Sequence, residues 1–322
     1  MLIIPVILSF LGVLYEVLFK KNQGYFFWFI VFIAALTSGV RVNVGKDFDS
    51  YRHIFEGNSI VNVNEYFFIF LGESINNLGL GSQLGFLVSS FITIFGVGYF
   101  INYFSSKNKF FLFHLYISIP LFYISSFNLL RSHLAISIAL VSLVFFFERK
   151  KIKFLFFSTI AFLIHYISPI VFSSLFYFKN SNTKKNFLIV LSVVILIVAI
   201  LFIEKAIILG TPYEYFLAHD SNNSKLLFLI FSIISLSMFF LNTSLKHFPS
   251  KPLFIGGSLL SFFFTFVWQL SELANLWLRV GEFFYIFVLV SVGFNIQRIK
   301  PLIFQNLLIV IFLNYYPSLL PL

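Results

Sequence analysis

Cysteine is absent from the 322 residues. That removes disulfides, thiolate nucleophiles and Cys-ligated metals from consideration. Charge is scarce as well: Asp, Glu, Lys and Arg make up 11% of the chain, against about 25% in soluble domains. Acids are the rarer sign, 12 against 22 Lys and Arg, which leaves a net charge of +10. No soluble segment carries a basic face, so the excess does not read as nucleic-acid binding. No zinc constellation, nucleotide-binding glycine loop or Ser-His-Asp ordering is present. The LGLGS run around 79–82 lacks the strand-to-helix setting of a phosphate cradle.

Apolar residues fill the space that charge leaves. They make up 59% of the chain, 50 of them Phe, and the mean hydropathy is +0.96. One water-soluble core cannot bury that much apolar surface, so the bilayer is the solvent for most of the chain. A span needs about 20 apolar residues. The candidates are 2–19, 25–40, 84–104, 110–127, 132–147, 154–178, 187–203, 226–241, 253–270, 280–297 and 301–316. The expectation is an all-α integral membrane protein, a polytopic bundle of about 10–12 transmembrane helices in one domain over 1–322. The opening MLIIPVILSFLGVLYEVLF has no basic n-region and no small-residue cleavage site, so it reads as a retained first span.

Two connections are longer and more polar than the rest. Residues 41–83 form the first, and its second half, NEYFFIFLGESINNLGLG, reads as a helix at the interface or tucked into the bundle. Residues 204–225 form the second, with Thr211-Pro212 and Asn222-Asn223 as turn signals. Lys and Arg collect in cytoplasmic loops. The clusters at 20–22, 105–109 and 148–153 therefore put 41–83 and the turn at 128–131 outside, and those at 179–186, 245–251 and 296–300 put 204–225 and 271–279 outside. The two halves are out of phase by one crossing, because only 154–178 separates two cytoplasmic clusters. A re-entrant pair of half-helices broken near His165–Pro169 resolves this. The alternative is that one Lys-rich loop departs from the charge bias.

The external segments hold the unusual polar residues. Arg41, Asp47, Asp49, Arg52, His53 and Glu56 crowd the mouth of the second span, and Asn128, Arg131, His165 and the stretch Glu272–Glu282 share that side. Arginine near hydrocarbon is costly and pairs or faces a wet cavity. Arg41, Arg131 and Arg279 from separate segments suggest a bound anion, since the guanidinium fork matches phosphate oxygens. A carboxylate beside them, Asp47 above all, is suited to take a proton. Plainer readings exist: Arg41 as a snorkelling helix end, Arg131 as a positioning charge, Arg279 paired with Glu282, His165 as a packed imidazole. His114, His133, His219 and His247 show no partner spacing, and Glu16 in the first span has no assigned role.

RVNVGKDFDSY resembles the signature of EpsG-type polysaccharide polymerases, an Arg ahead of a Gly-Thr-Asp-Tyr motif with a Tyr downstream. Arg41, Gly45, Asp47 and Tyr51 match; Lys46 and Phe48 stand where Thr and Tyr are usual. NEYFFIFLGESINNLGL is similar to the next family segment, with Glu65 at its acidic position. LLRSHLAISIAL supplies Arg131, with Ser132 in place of Gln; IAFLIHYISPIV supplies His165 and Ser168; NLWLRVGEFFYIF supplies Arg279 and Tyr285. The resemblance implies a Wzy-like polymerase of O-antigen or exopolysaccharide with a GT-C-like fold. It would sit in the bacterial cell inner membrane with its active site facing the periplasm. It implies no cofactor and no metal. Its partners would be an undecaprenyl-pyrophosphate-linked glycan donor and acceptor, membrane lipid and a chain-length regulator protein. In this expectation Arg41, Arg131 and Arg279 hold the pyrophosphate, and Asp47 or His165 is the base. Tyr51, Glu65, Glu272 and Tyr285 meet sugar. An O-antigen ligase and a lipid-linked sugar flippase are the competing classes.

Overall fold

The computed structural model describes residues 3–19, 24–45, 47–57, 66–79, 81–105, 107–119, 123, 125–166, 168–179, 225–244, 250–267 and 274–295. Among these every regular element is helical. They fall into two compact units, Met1–Pro169 with Gly293–Leu322, and Ile170–Val292.

The first unit holds α1 (Ile3–Phe19), α2 (Gly24–Gly39), α3 (Phe48–Phe55), α4 (Tyr66–Asn77), α5 (Gly81–Phe104), α6 (Lys109–Ser118), α7 (Ser125–Asn128), α8 (Leu130–Phe147) and α9 (Lys151–Ile164). Lipid offers no hydrophobic drive for helix pairing, so small residues and hydroxyls set the contacts. The α2 and α5 helices run antiparallel: Ser38 donates to Ser90 at 3.1 Å, and Trp28 stacks on Phe95 at the other end. Next, α5 and α8 run parallel, with Gly96 against Ser137 and Phe104 edge-on to Phe147. Finally α9 returns antiparallel to α8, where Ser142 and Ser158 share a 2.7 Å hydrogen bond and Ala135 and Ala139 are fully buried. The small row Ala135, Ala139, Ser142 is helix packing, as its spacing implies. Glu16 has a role too: its Oε2 accepts the Phe111 N–H at 3.4 Å, in the first turn of α6 where helix donors lack partners. His114 is a packing residue, hydrogen-bonded through Nδ1 to Ser9 Oγ at 2.8 Å.

These directions sort the polar residues. The end of α2, with Arg41, lies with α3, the start of α5, α7, the start of α8 with Arg131 and the end of α9 with His165. The opposite end of the unit carries Lys107, Lys109, Glu148, Arg149, Lys150, Lys151 and Lys153.

Two expected spans break. The stretch 110–127 stops at Ser118, because Pro120 pushes the preceding Ile119 to extended backbone (φ −88°, ψ 118°). The stretch 154–178 ends as an α-helix at Ile164, where His165 is extended, and resumes as a 3₁₀ helix over Ser168–Lys179. That is the position of the break read from Pro169. Among the described residues, Gly81–Phe104 and Leu130–Phe147 are long and apolar enough to cross a bilayer, and five further apolar helices are shorter. The spans 187–203 and 301–316 and nearly all of the 204–225 connection lie outside the described residues.

In the second unit are α10 (Lys225–Ser244), α11 (Lys251–Val267) and α12 (Ala274–Asn295). Their apolar interfaces carry a satisfied polar ladder: Ser235 with Ser261 at 3.1 Å, and Asn242 Nδ2 donating to Ser291 Oγ at 2.8 Å. A Cβ on Gly257 would lie 2.5 Å from Phe287, so the missing side chain lets α11 and α12 touch. The expected connection 271–279 is instead helical from Ala274, and Arg279 lies inside α12.

Candidate functional site

The site begins where α2 stops. The Gly39 carbonyl, an orphan of the last helical turn, accepts from Gln83 Nε2 on α5. Tyr123 donates to the Ala34 carbonyl at 2.8 Å from the segment before α7. Together these fix three chain segments around the next side chain, Arg41. Two left-handed residues then turn the backbone, Asn43 at φ 54° and Gly45 at φ 105°. Only glycine adopts the second value without strain, which gives the Gly45 of the signature its physical reason. Its carbonyl accepts from Phe48 N at 3.1 Å and α3 starts.

Arg41 is 4% exposed. Its guanidinium carbon lies 5.0 Å from the Phe86 ring centroid and 4.8 Å from that of Phe127. Nε, Nη1 and Nη2 are all buried and make no hydrogen bond to any described residue. Burial lowers its pKa below the usual arginine range to about 10, partly offset by nearby Tyr51 and Tyr123. The group therefore stays charged at neutral pH. Cation–π contact returns up to about 2 kcal/mol per desolvated ring. Burying an ion costs several kcal/mol unless its hydrogen bonds are made. Two aromatic faces hold the fork in place and satisfy none of its donors, so the arrangement suits an anion that supplies oxygen acceptors.

Most of the other charges in this stretch have a plainer use. One face of α3 buries Phe48, Tyr51, Ile54 and Phe55. Phe48 stacks on Phe86 at 4.7 Å, and Phe55 packs edge-on to the same ring. The opposite face carries Arg52, 3.7 Å from Asp49 and 3.5 Å from Glu56. Exposed pairs of this kind contribute ~0–1 kcal/mol and mark the solvated side of a surface helix. Asp47 differs. It holds the N-cap position of α3 yet makes no capping hydrogen bond from its side chain, although Asp commonly stabilises a helix that way.

Arg131 and His165 stand on neighbouring antiparallel helices at the same end of the unit as Arg41; His165 is 9% exposed. The Tyr51 ring is 8% exposed and packs edge-on to Phe68 at 5.7 Å. So the first unit brings Arg41, Asp47, Tyr51, Arg131 and His165 to one end. Tyr285, in the second unit, is 1% exposed, one turn beyond the buried Glu282. Glu65, Glu272 and Lys46 lie outside the described residues, as does the side chain of Arg279. Among the described residues no three His, Asp or Glu are grouped to hold a metal. Phe86 and Phe127, the walls around Arg41, escaped the sequence reading, because two Phe among 50 carry no signal.

The EpsG family profile matches residues 24–320, a range that takes in every residue placed above except those of α1. No curated protein and no solved structure matches the chain.

Proposed function

The chain belongs to the EpsG family of Wzy-like polymerases, and from that premise we propose that it joins lipid-linked oligosaccharide repeat units at the periplasmic face of the inner membrane. The family gives the general role, a polysaccharide polymerase in a membrane protein. The donor is a glycan on undecaprenyl pyrophosphate and the acceptor a sugar hydroxyl on a second lipid-linked unit. The acceptor oxygen attacks the anomeric carbon while Asp47, or failing it His165, takes the hydroxyl proton. The bond to the diphosphate breaks on the opposite side, inverting the anomeric centre. Charge grows on the departing diphosphate, and a preorganised guanidinium stabilises it without reorganising. Arg41 and Arg131 carry that task. Arg279 is assigned a phosphate from the family resemblance alone, and the GT-C-like fold rests on the same ground.

The observation that supports this reading is the Arg41 guanidinium, charged, buried and without an acceptor among the described residues. The test is a strain deleted for this chain and complemented with Arg41→Ala, Arg131→Ala or Asp47→Ala. The reading expects single repeat units where the wild type gives a ladder of surface polysaccharide. Full-length chains left on the lipid carrier would indicate a ligase instead, and unchanged ladders in all three variants would remove the site.

A further inference from the structure

Beneath Arg41 the seam between α5 and α8 contains three more buried polar groups without partners among the described residues. Ser89 is 0% exposed, Thr93 2% and His133 7%. Ser89 Oγ, Thr93 Oγ1 and His133 Nε2 make no hydrogen bond to any described residue. Elsewhere in the chain helical hydroxyls bond back to the carbonyl four residues earlier, as Thr37 does to Ile33, Ser158 to Phe154, Thr265 to Ser261 and Ser291 to Phe287. Ser89 and Thr93 forgo that bond although a helical Ser or Thr can make it.

The register puts them together. Gly96 meets Ser137 where the parallel helices touch. One turn back along each helix come Thr93 and His133, and a further turn along α5 comes Ser89. Another turn reaches Phe86, the ring on which Arg41 stacks. A line of unsatisfied groups therefore runs from a cation down one helix seam, and it changes along its length from charged to neutral. The neutral part offers two hydroxyls and an imidazole, each able to give or take a hydrogen bond. Leaving three such groups unmade costs about 1–3 kcal/mol apiece, which a purely structural seam would avoid with Ala, Val and Leu.

We infer that Ser89, Thr93 and His133 form an uncharged subsite for the sugar ring joined directly to the diphosphate. This rests on the reading of Arg41 as a diphosphate ligand. A glycosyl diphosphate has the same order of chemistry, an anion followed by a ring of neutral hydroxyls. The subsite positions the donor ring; it takes no proton and forms no bond.

The experiment uses the full chain in lipid nanodiscs and two probes. One is the lipid-linked oligosaccharide isolated from the cells that make this protein. The other is the same polyprenyl diphosphate stripped of its glycan. The wild type should bind the glycosylated probe more tightly than the stripped one. In Ser89→Ala/Thr93→Val that difference should fall about tenfold, the size of one or two neutral hydrogen bonds, with affinity for the stripped probe unchanged. Because Val replaces an unpaired hydroxyl, the thermal midpoint of the ligand-free variant should hold or rise, and Thr93→Ser should keep the wild-type preference. An undiminished glycan preference in the double variant overturns the inference and leaves water as the occupant of the seam; so does equal wild-type affinity for both probes. Arg41→Ala reports separately: stripped lipid bound as tightly as by the wild type would defeat the diphosphate reading itself.

Discussion

Arg41 and Arg52 show how differently one residue type behaves eleven positions apart in sequence. Arg52 lies between two exposed acids, and replacing it with Ala should change stability by less than ~1 kcal/mol and leave the polysaccharide ladder intact. Arg41 has two aromatic rings and no acceptor. Lysine there would keep the charge and lose the planar fork, so Arg41→Lys should still shorten the ladder. Its pKa is lowered, so the sign is simple: the charged form is fully present at neutral pH and is lost as pH rises through about 10. Binding that depends on the fork should weaken there, below the range of an ordinary arginine. Asp47 is tested by Asp47→Asn, which preserves shape; if the carboxylate is the base, turnover should drop ~100-fold or more while lipid binding persists. Arg41 and Asp47 stand out in the sequence because charge is so rare. The sequence could not separate Arg41 from Arg52, since burial depends on rings that lie 45 and 86 residues further along the chain.

At the scale of helices, the short α3 holds the site through a few close contacts. A Cβ at Gly85 would lie 2.4 Å from Phe55 Cγ. Gly85→Ala should push α3 off α5 at a cost of ~1–3 kcal/mol, disturb Phe86, and shorten the ladder without touching a charged group. Gly45→Ala should act on the same helix through its backbone, since φ 105° strains any residue with a Cβ by ~1–3 kcal/mol. Both are checked by thermal unfolding beside the polysaccharide gel. Across α8 and α9, a double-mutant cycle on Ser142 and Ser158 should give a coupling of about 0.6 kcal/mol, the usual size for a hydrogen bond between membrane helices. Proline made the breaks at Pro120 and Pro169 legible, the second by position and the first only in hindsight. The amphipathic α3 was read merely as a polar connection, because eight residues give too few turns for a period to emerge.

Taken whole, the chain reads as a membrane protein from composition alone, and the parallel and antiparallel pairings of its first unit separate the lysine-rich end from the arginine site. Natural absence of cysteine makes that arrangement easy to probe. A single Cys at Asp49, 75% exposed, should react with a membrane-impermeant maleimide added outside, and one at Lys151 only after the membrane is opened. The separation of a lysine-rich end from an arginine end was legible from Lys and Arg placement; the partner chemistry was not, because an apolar chain gives few signals beyond its charges. The most direct measurement is binding of polyprenyl diphosphate to the purified chain in nanodiscs, wild type against Arg41→Met, with thermal unfolding of both in the absence of lipid. An unsatisfied buried charge predicts that methionine abolishes binding, by a factor of a hundred or more, while the empty protein unfolds no earlier than the wild type. Equal affinity in the two proteins, or a marked loss of stability with binding retained, would contradict the account and make Arg41 a structural cation.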